Sequence, residues 1–265
     1  MPRITLFAKG NLDVRDTLHA LRFGERLAWN GLNELLRTRT PSVTARVRHE
    51  TFTRSDALLE AKGSIPVAFE GQDLPLGAHP LASQYAPRLF EAEADVFVLS
   101  IQPDVSVLML RHRRDGFLFY PNDWRDWPKD DQSWLRANFE PAPPLDVETS
   151  MANFAAIIAR LRARSAAPIL IYNLSAAIPG EYIHQGFGDL LSTRIRRFNL
   201  GLIELSDSTG VSIIDVDRIV AKGGADKMKL DSLHLTGVGA RAVAEEVVRV
   251  LEDFGVLEPI GFAPR

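Results

Sequence analysis

Asp231 stands three residues before His234, in the stretch Asp231-Ser232-Leu233-His234-Leu235-Thr236-Gly237-Val238-Gly239. A carboxylate at this spacing, on one turn ahead of a helix, can reach the imidazole Nδ1–H. It would orient the ring and stabilise its protonated form, as the acid of a catalytic triad does. The same residues also suit a plain helix cap, with Thr236 capping, Asp231 in a turn and His234 on the surface. A second carboxylate, Asp13, closes Gly10-Asn11-Leu12-Asp13 after the first apolar run. A carboxylate there can serve as a nucleophile or cap a helix. Ser55 and Ser100 lie near strand ends and read as turn or sheet serines.

Other chemistries find little support. The chain has no cysteine, which removes thiolate nucleophiles, disulfides and Cys-ligated metals. His19, His49, His79, His112 and His184 show no metal-ligand spacing, and neither His-Glu-x-x-His nor a phosphate-binding Gly-x-x-x-x-Gly-Lys-Ser/Thr occurs. No metal and no cofactor is expected. With 31 Lys+Arg against 34 Asp+Glu, the net charge of −3 argues against a nucleic-acid partner. No apolar run nears a membrane span or a secretory h-region, so no membrane partner and a cytoplasmic location are expected.

The elements that must position these residues alternate. The runs 4–8, 43–47, 95–101, 168–172 and 211–216 read as strands, the third apolar on both faces as a central parallel strand is. A helix is expected over about 17–36, with Leu21, Ala28, Leu32 and Leu35 on one stripe. Further helical stripes run through Met151–Leu161, through Leu191–Leu205 and through Val243–Phe254. Arg194, Arg196 and Arg197 are assigned to the outer side of the second. At 265 residues with 46% hydrophobic composition, the expected architecture is one α/β domain. It is a doubly wound, three-layer α/β/α sandwich on a five-stranded, mostly parallel sheet of the flavodoxin-like kind.

Residues 105–145 interrupt the alternation. Strand-like runs flank Asp115-Gly116, a hairpin signal, and Trp124, Trp127 and Trp134 follow before Pro141-Ala142-Pro143-Pro144. The segment reads as an insertion. Its indoles would line a lid over the cleft, pack as a mini-core, or bury a homodimer contact. The cleft-bordering place is expected, because the segment leaves soon after the third strand. Trp124 and Trp127 are the substrate-binding candidates there.

The carboxyl half resembles the SGNH/GDSL hydrolase superfamily, in which a late Asp-x-x-His precedes the terminal helix. The resemblance implies the sandwich fold over residues 1–265, with 105–145 inserted. It implies triad roles for His234 and Asp231, and hydrolysis of a carboxylic ester or acyl group on a small molecule or glycan. The family's Gly-Asp-Ser falls on Gly10-Asn11-Leu12, so Leu12 stands where the nucleophilic serine belongs and Asp13 lies one residue beyond. The oxyanion-hole Gly falls near Thr53 or Arg54. The Gly-x-Asn-Asp falls on Ile101-Gln102-Pro103-Asp104, where the Gln102 amide is the nearest donor. Two functions fit: a divergent hydrolase, or an inactive binding or scaffolding protein on the same fold.

Overall fold

The computed structural model describes residues 2–51, 53–178 and 187–258. Its strands are β1 (Arg3–Lys9), β2 (Ala20–Phe23), β3 (Arg26–Trp29), β4 (Thr44–Glu50), β5 (Val96–Ser100), β6 (Leu110–His112), β7 (Leu118–Phe119), β8 (Phe139–Pro141), β9 (Ile169–Tyr172) and β10 (Ser212–Ile214). The main sheet runs β10-β9-β5-β1-β4, and every neighbouring pair in it is parallel. In chain order of these five strands the arrangement is 2-1-3-4-5, the flavodoxin-like order. The direction of winding reverses between β1 and β5, so the crevice opens at their carboxyl ends.

The alternation of β1 builds both faces of the core. Ile4, Leu6 and Ala8 pack on one side, with the helices Leu32–Arg39 and Gly237–Asp253. Phe7 points to the other, against the helices Val147–Arg162 and Leu191–Thr209. Val96–Ser100 is buried throughout, as a strand covered on both faces must be. Leu191, Ile195, Phe198 and Leu202 are fully inaccessible, the stripe expected from their spacing.

Three expectations need correction. Residues 17–36 are not one helix. A π-helical turn at Arg15–His19 leads into the antiparallel hairpin β2–β3, and helix begins only at Leu32. Leu21 and Ala28 do share a buried face, but as direct cross-strand partners. A hairpin that pairs residues seven apart imitates two helical turns. Gly24, at φ +63°, supplies the left-handed turn between the strands.

Second, Arg194 is buried, not on the outer side. Its guanidinium donates to the carbonyls of Val105 at 2.8 Å, Asp104 at 3.0 Å and Leu145 at 2.6 Å.

Third, the insertion does not border the dyad as a lid. It folds as the sheet β7-β6-β8 over its own aromatic core. Phe119, Trp127, Leu135 and Phe139 pack there with Phe69, Leu76 and Tyr85 from the connection between β4 and β5. Gln84 fastens the two segments, donating to the Tyr120 carbonyl at 3.0 Å and accepting from its amide at 2.9 Å. Trp124 lines a cavity of about 760 Å³ together with Tyr120 and Pro141–Pro144. Trp127 is 6% exposed, with Nε1 donating to the Asn122 carbonyl at 3.0 Å. The physical reason is size: three short strands bury little unless aromatic side chains fill the gap beneath them. Trp127→Phe is therefore expected to lower stability by about 1–2 kcal/mol through the lost hydrogen bond and ring volume. Chemical denaturation reads that loss, and any activity at His234 should be unaltered.

Candidate active site

β1 ends at Lys9 and the chain turns at Gly10, where a Cβ would meet Val14 Cγ2 at 2.5 Å and Ser100 Cβ at 3.3 Å. Only glycine fits so close to β5. The turn delivers Asn11, Leu12 and Asp13 to the switch point between β1 and β5. Asp13 is locked by both oxygens: Oδ1 accepts from the Val14 amide at 2.8 Å and Oδ2 from the Ser100 hydroxyl. Ser100 Oγ in turn accepts from the Gln102 amide at 3.0 Å. Burial pushes the Asp13 carboxyl up to about 6, opposed by the bonds from Ser100, Val14 and Asn11.

The second half of the site is a local turn. Asp231 Oδ1 accepts from the amides of Leu233 and His234, both at 2.8 Å, and Oδ2 meets His234 Nδ1 at 2.7 Å. Leu230 N–H donates to the His234 carbonyl at 2.9 Å, closing the turn. Thr236 then caps the last helix, accepting from the Gly239 amide at 3.1 Å. The dyad and the cap thus coexist in one stretch. Although desolvation opposes it, Asp231 is held below its ordinary carboxyl value by the amides of Leu233 and His234 and by the His234 ring. It is an anion that fixes Nδ1 as the protonated nitrogen and leaves Nε2 as the acceptor. Among the described residues His234 Nε2 has no hydrogen-bond partner, and the side chain is 37% exposed.

The two halves meet. Leu12, Asp13, Asp16, Thr17 and His234 bound one cavity of about 10 Å³, the room of a single water. Asp13 also borders a second cavity of similar size, with Tyr172, Asn173, Ser175, Lys229 and Ser232. The structure thus brings together Leu12, Asp13, Asp231 and His234. Gly10 and Asn11 form the turn beside them.

Thr53 and Gln102 do not line that cavity. Both nonetheless carry buried polar atoms with no hydrogen-bond partner among the described residues: Thr53 Oγ1, and Gln102 Nε2 and Oε1. Their segments are tied together by Asp104, which is 1% exposed. Asp104 accepts from the Ser55 amide at 2.7 Å, the Ser150 hydroxyl at 2.6 Å and the Ser55 hydroxyl. Trp124 and Trp127 belong to the insertion core instead. Among the described residues no group of three or more His, Asp or Glu is placed to hold a metal, and no helix is long and apolar enough to cross a membrane. His184 lies outside the described residues.

Sequence reasoning missed three contributors: Ser100 as the partner of Asp13, Asp104 as the knot beneath the loops, and Lys229 under the dyad turn. Ser100 had a visible signal in its place at a central strand's carboxyl end. Asp104 had none, because its side chain meets Ser55 and Ser150, far away in sequence, and the tie from Lys229 to Ser175 is equally long-range although Ser232 is close by.

His49 flanks the site, with Nε2 2.9 Å from the Gly10 carbonyl. Burial holds its pKa down at about 4, opposed by that hydrogen bond, so the ring is neutral and Nε2–H donates. The folded form then binds fewer protons than the unfolded chain between about 4 and 6.5. Stability from this residue is present above about 6.5 and is lost as pH falls through 4. His49→Gln should remove up to about 3 kcal/mol of that acid-dependent loss. Urea titrations at pH 7 and pH 4.5 would show it, and equal slopes for the two proteins would refute it.

No protein-family model matches the chain, and no curated sequence is similar enough to count as a relative. Solved structures do match in shape. Axe2, an acetylxylan esterase from Geobacillus stearothermophilus, is 13% identical over 93% of each chain, with a TM-score of 0.50. A single-substitution variant of that acetyl-xylooligosaccharide esterase is 11% identical over 99% of this chain and 97% of its own, at 0.51. A member of the lipolytic G-D-S-L family from Veillonella parvula is 10% identical over 94% and 98%, at 0.48. With its 2-1-3-4-5 sheet, its turn after β1 and its Asp-x-x-His before the terminal helix, this chain has the fold of the SGNH/GDSL hydrolases.

Proposed function

We propose that the chain hydrolyses a carboxylic ester or acyl group of a small molecule or glycan, with water as the nucleophile and His234 as its base. One observation carries the reading. His234, oriented through Nδ1 by Asp231 and with no partner at Nε2 among the described residues, borders a water-sized cavity that Leu12 also lines. In the step, Nε2 takes a proton from water and the hydroxide oxygen bonds to the carbonyl carbon. The tetrahedral intermediate then collapses, the alcohol leaves, and it takes the proton back from His234. Asp231 stabilises the imidazolium throughout. Asp13 has no nucleophilic role in this reading, since both its oxygens already accept hydrogen bonds.

Leu12 favours a second reading, a binding protein that keeps the cleft without the reaction. The fold does not choose between the two. A panel of short-chain p-nitrophenyl esters, run beside a serine-reactive fluorophosphonate, separates them. Slow turnover without labelling is expected. Leu12→Ser should gain fluorophosphonate labelling at residue 12, and the gain should vanish when His234 is also replaced. Labelling of the native chain at any serine would overturn the water mechanism. Silence across the ester panel would favour the binding reading.

A further inference from the structure

We propose that Lys229 is the positioning residue of the dyad turn, its ammonium fixing the backbone from which Asp231 meets His234. The geometry is specific. Lys229 Nζ donates to the Ser232 carbonyl at 2.8 Å and lies 3.4 Å from the Ser175 carbonyl. Ser232 is the residue between the Asp231 carboxylate and the two amides it holds. Ser175 follows β9 at the carboxyl edge of the sheet. The lysine therefore ties the middle of the turn to the main sheet.

The turn is enclosed on its other sides. Lys229 and Leu235 form an antiparallel bridge, and the Thr236 amide donates to the Met228 carbonyl at 2.9 Å. A Cβ on Gly239 would collide with that same carbonyl, so the last helix presses directly on the residue before the lysine.

An aliphatic side chain could fill the space without desolvating a charge. Lys229 is 6% exposed, and burial pulls its pKa down to about 8 against the attraction of Asp231 and Asp217. What the ammonium adds is a charged donor to a carbonyl in the middle of the turn, a stronger hold than a neutral donor gives. A Ser232 carbonyl released from it would rotate toward water and carry the adjoining peptide with it. The 2.7 Å contact between Asp231 and His234 depends on that peptide.

The role bears on rate only through the proposed hydrolysis, so the deciding measurements involve no reaction. In Lys229→Met the side chain keeps its length and loses its donor. Amide exchange at Leu233 and His234 is expected to quicken about tenfold or more. The downfield Nδ1 proton resonance of His234 is expected to broaden or vanish. Amides of Leu6 and Val98 in the sheet should be unchanged. Lys229→Gln, which retains an N–H donor, should restore part of the protection. Unchanged turn amides and an unchanged Nδ1 proton in Lys229→Met would overturn the assignment. So would equal acceleration of turn and sheet amides, since Lys229 would then hold the fold and not the turn. If the native chain cleaves no ester, the proposed function fails while these resonances still decide the role of Lys229. If it does cleave one, Lys229→Met should lower kcat and leave KM in place.

Discussion

His234→Ala is expected to lower kcat/KM on any ester the chain hydrolyses by roughly 10²–10⁴-fold, the usual worth of a positioned general base. The melting temperature should move by no more than about 2 °C. Both halves of the expectation come from the same geometry. The ring is 37% exposed and, among the described residues, its one polar contact is to Asp231, itself 54% exposed by side chain. Its removal therefore empties little of the core. The rate has no such protection, because the carboxylates that share the cavity are engaged elsewhere, Asp16 accepting from Arg15 Nε at 2.7 Å. Asp13 faces it too, but its oxygens are taken by Ser100 and Val14. Asp231→Asn should cost somewhat less than the loss of His234. The amide oxygen can still accept from the Leu233 and His234 amides, while the stabilising charge on the imidazolium is gone. Steady-state kinetics with melting curves for the three proteins would check this. An unchanged rate in His234→Ala would remove the dyad from the mechanism.

The parts of this site that were legible in the sequence are those whose partners are near in the chain. Asp231 and His234 are three residues apart and make their contact within one turn, so spacing alone announced it. The five strands of the main sheet were legible for a related reason. A parallel strand such as Val96–Ser100, buried on both sides, is a continuous apolar run bounded by polar residues. Legibility fails where contact is made across long separations. Arg194 shares a stretch with Arg196 and Arg197, and nothing local marks it as the one that reaches three carbonyls from residues 104, 105 and 145. The insertion's aromatic richness was visible. That Phe69 and Tyr85, well upstream in the chain, complete its core was not. The hairpin at residues 20–29 resembles a helix in sequence for a different reason, since pairing at a separation of seven matches helical spacing as well.

Asp104→Ala is expected to cost about 3–5 kcal/mol of stability, the range for removing one partner from a buried polar network. Asp104 gathers three donors at one carboxylate: the Ser55 amide, the Ser55 hydroxyl and the Ser150 hydroxyl. These come from the first residue of the helix Ser55–Glu60, which follows β4, and from the helix Val147–Arg162, while Asp104 itself follows β5. Alanine leaves all three facing a hole, and each unmet buried donor costs about 1–3 kcal/mol before relaxation. Asp104→Asn keeps one acceptor oxygen and should cost less, and its cost should depend on pH. Burial raises the Asp104 carboxyl to about 6, opposed by its serine hydrogen bonds. The folded chain thus holds this proton more tightly than the unfolded chain, where the value is about 3.9. The stabilisation is complete below about pH 4 and is lost as pH rises through 6, by about 3 kcal/mol in all. The carboxamide of the variant has no proton to lose. The penalty of Asp104→Asn should therefore be largest near pH 4 and shrink toward pH 7. Taking the difference between two proteins at each pH cancels Asp13 and His49, which titrate in the same window. Urea unfolding at pH 4.5 and pH 7 decides it: a penalty that grows with pH would mean that the buried carboxylate is stabilised as the anion, and that its three donors outweigh its burial.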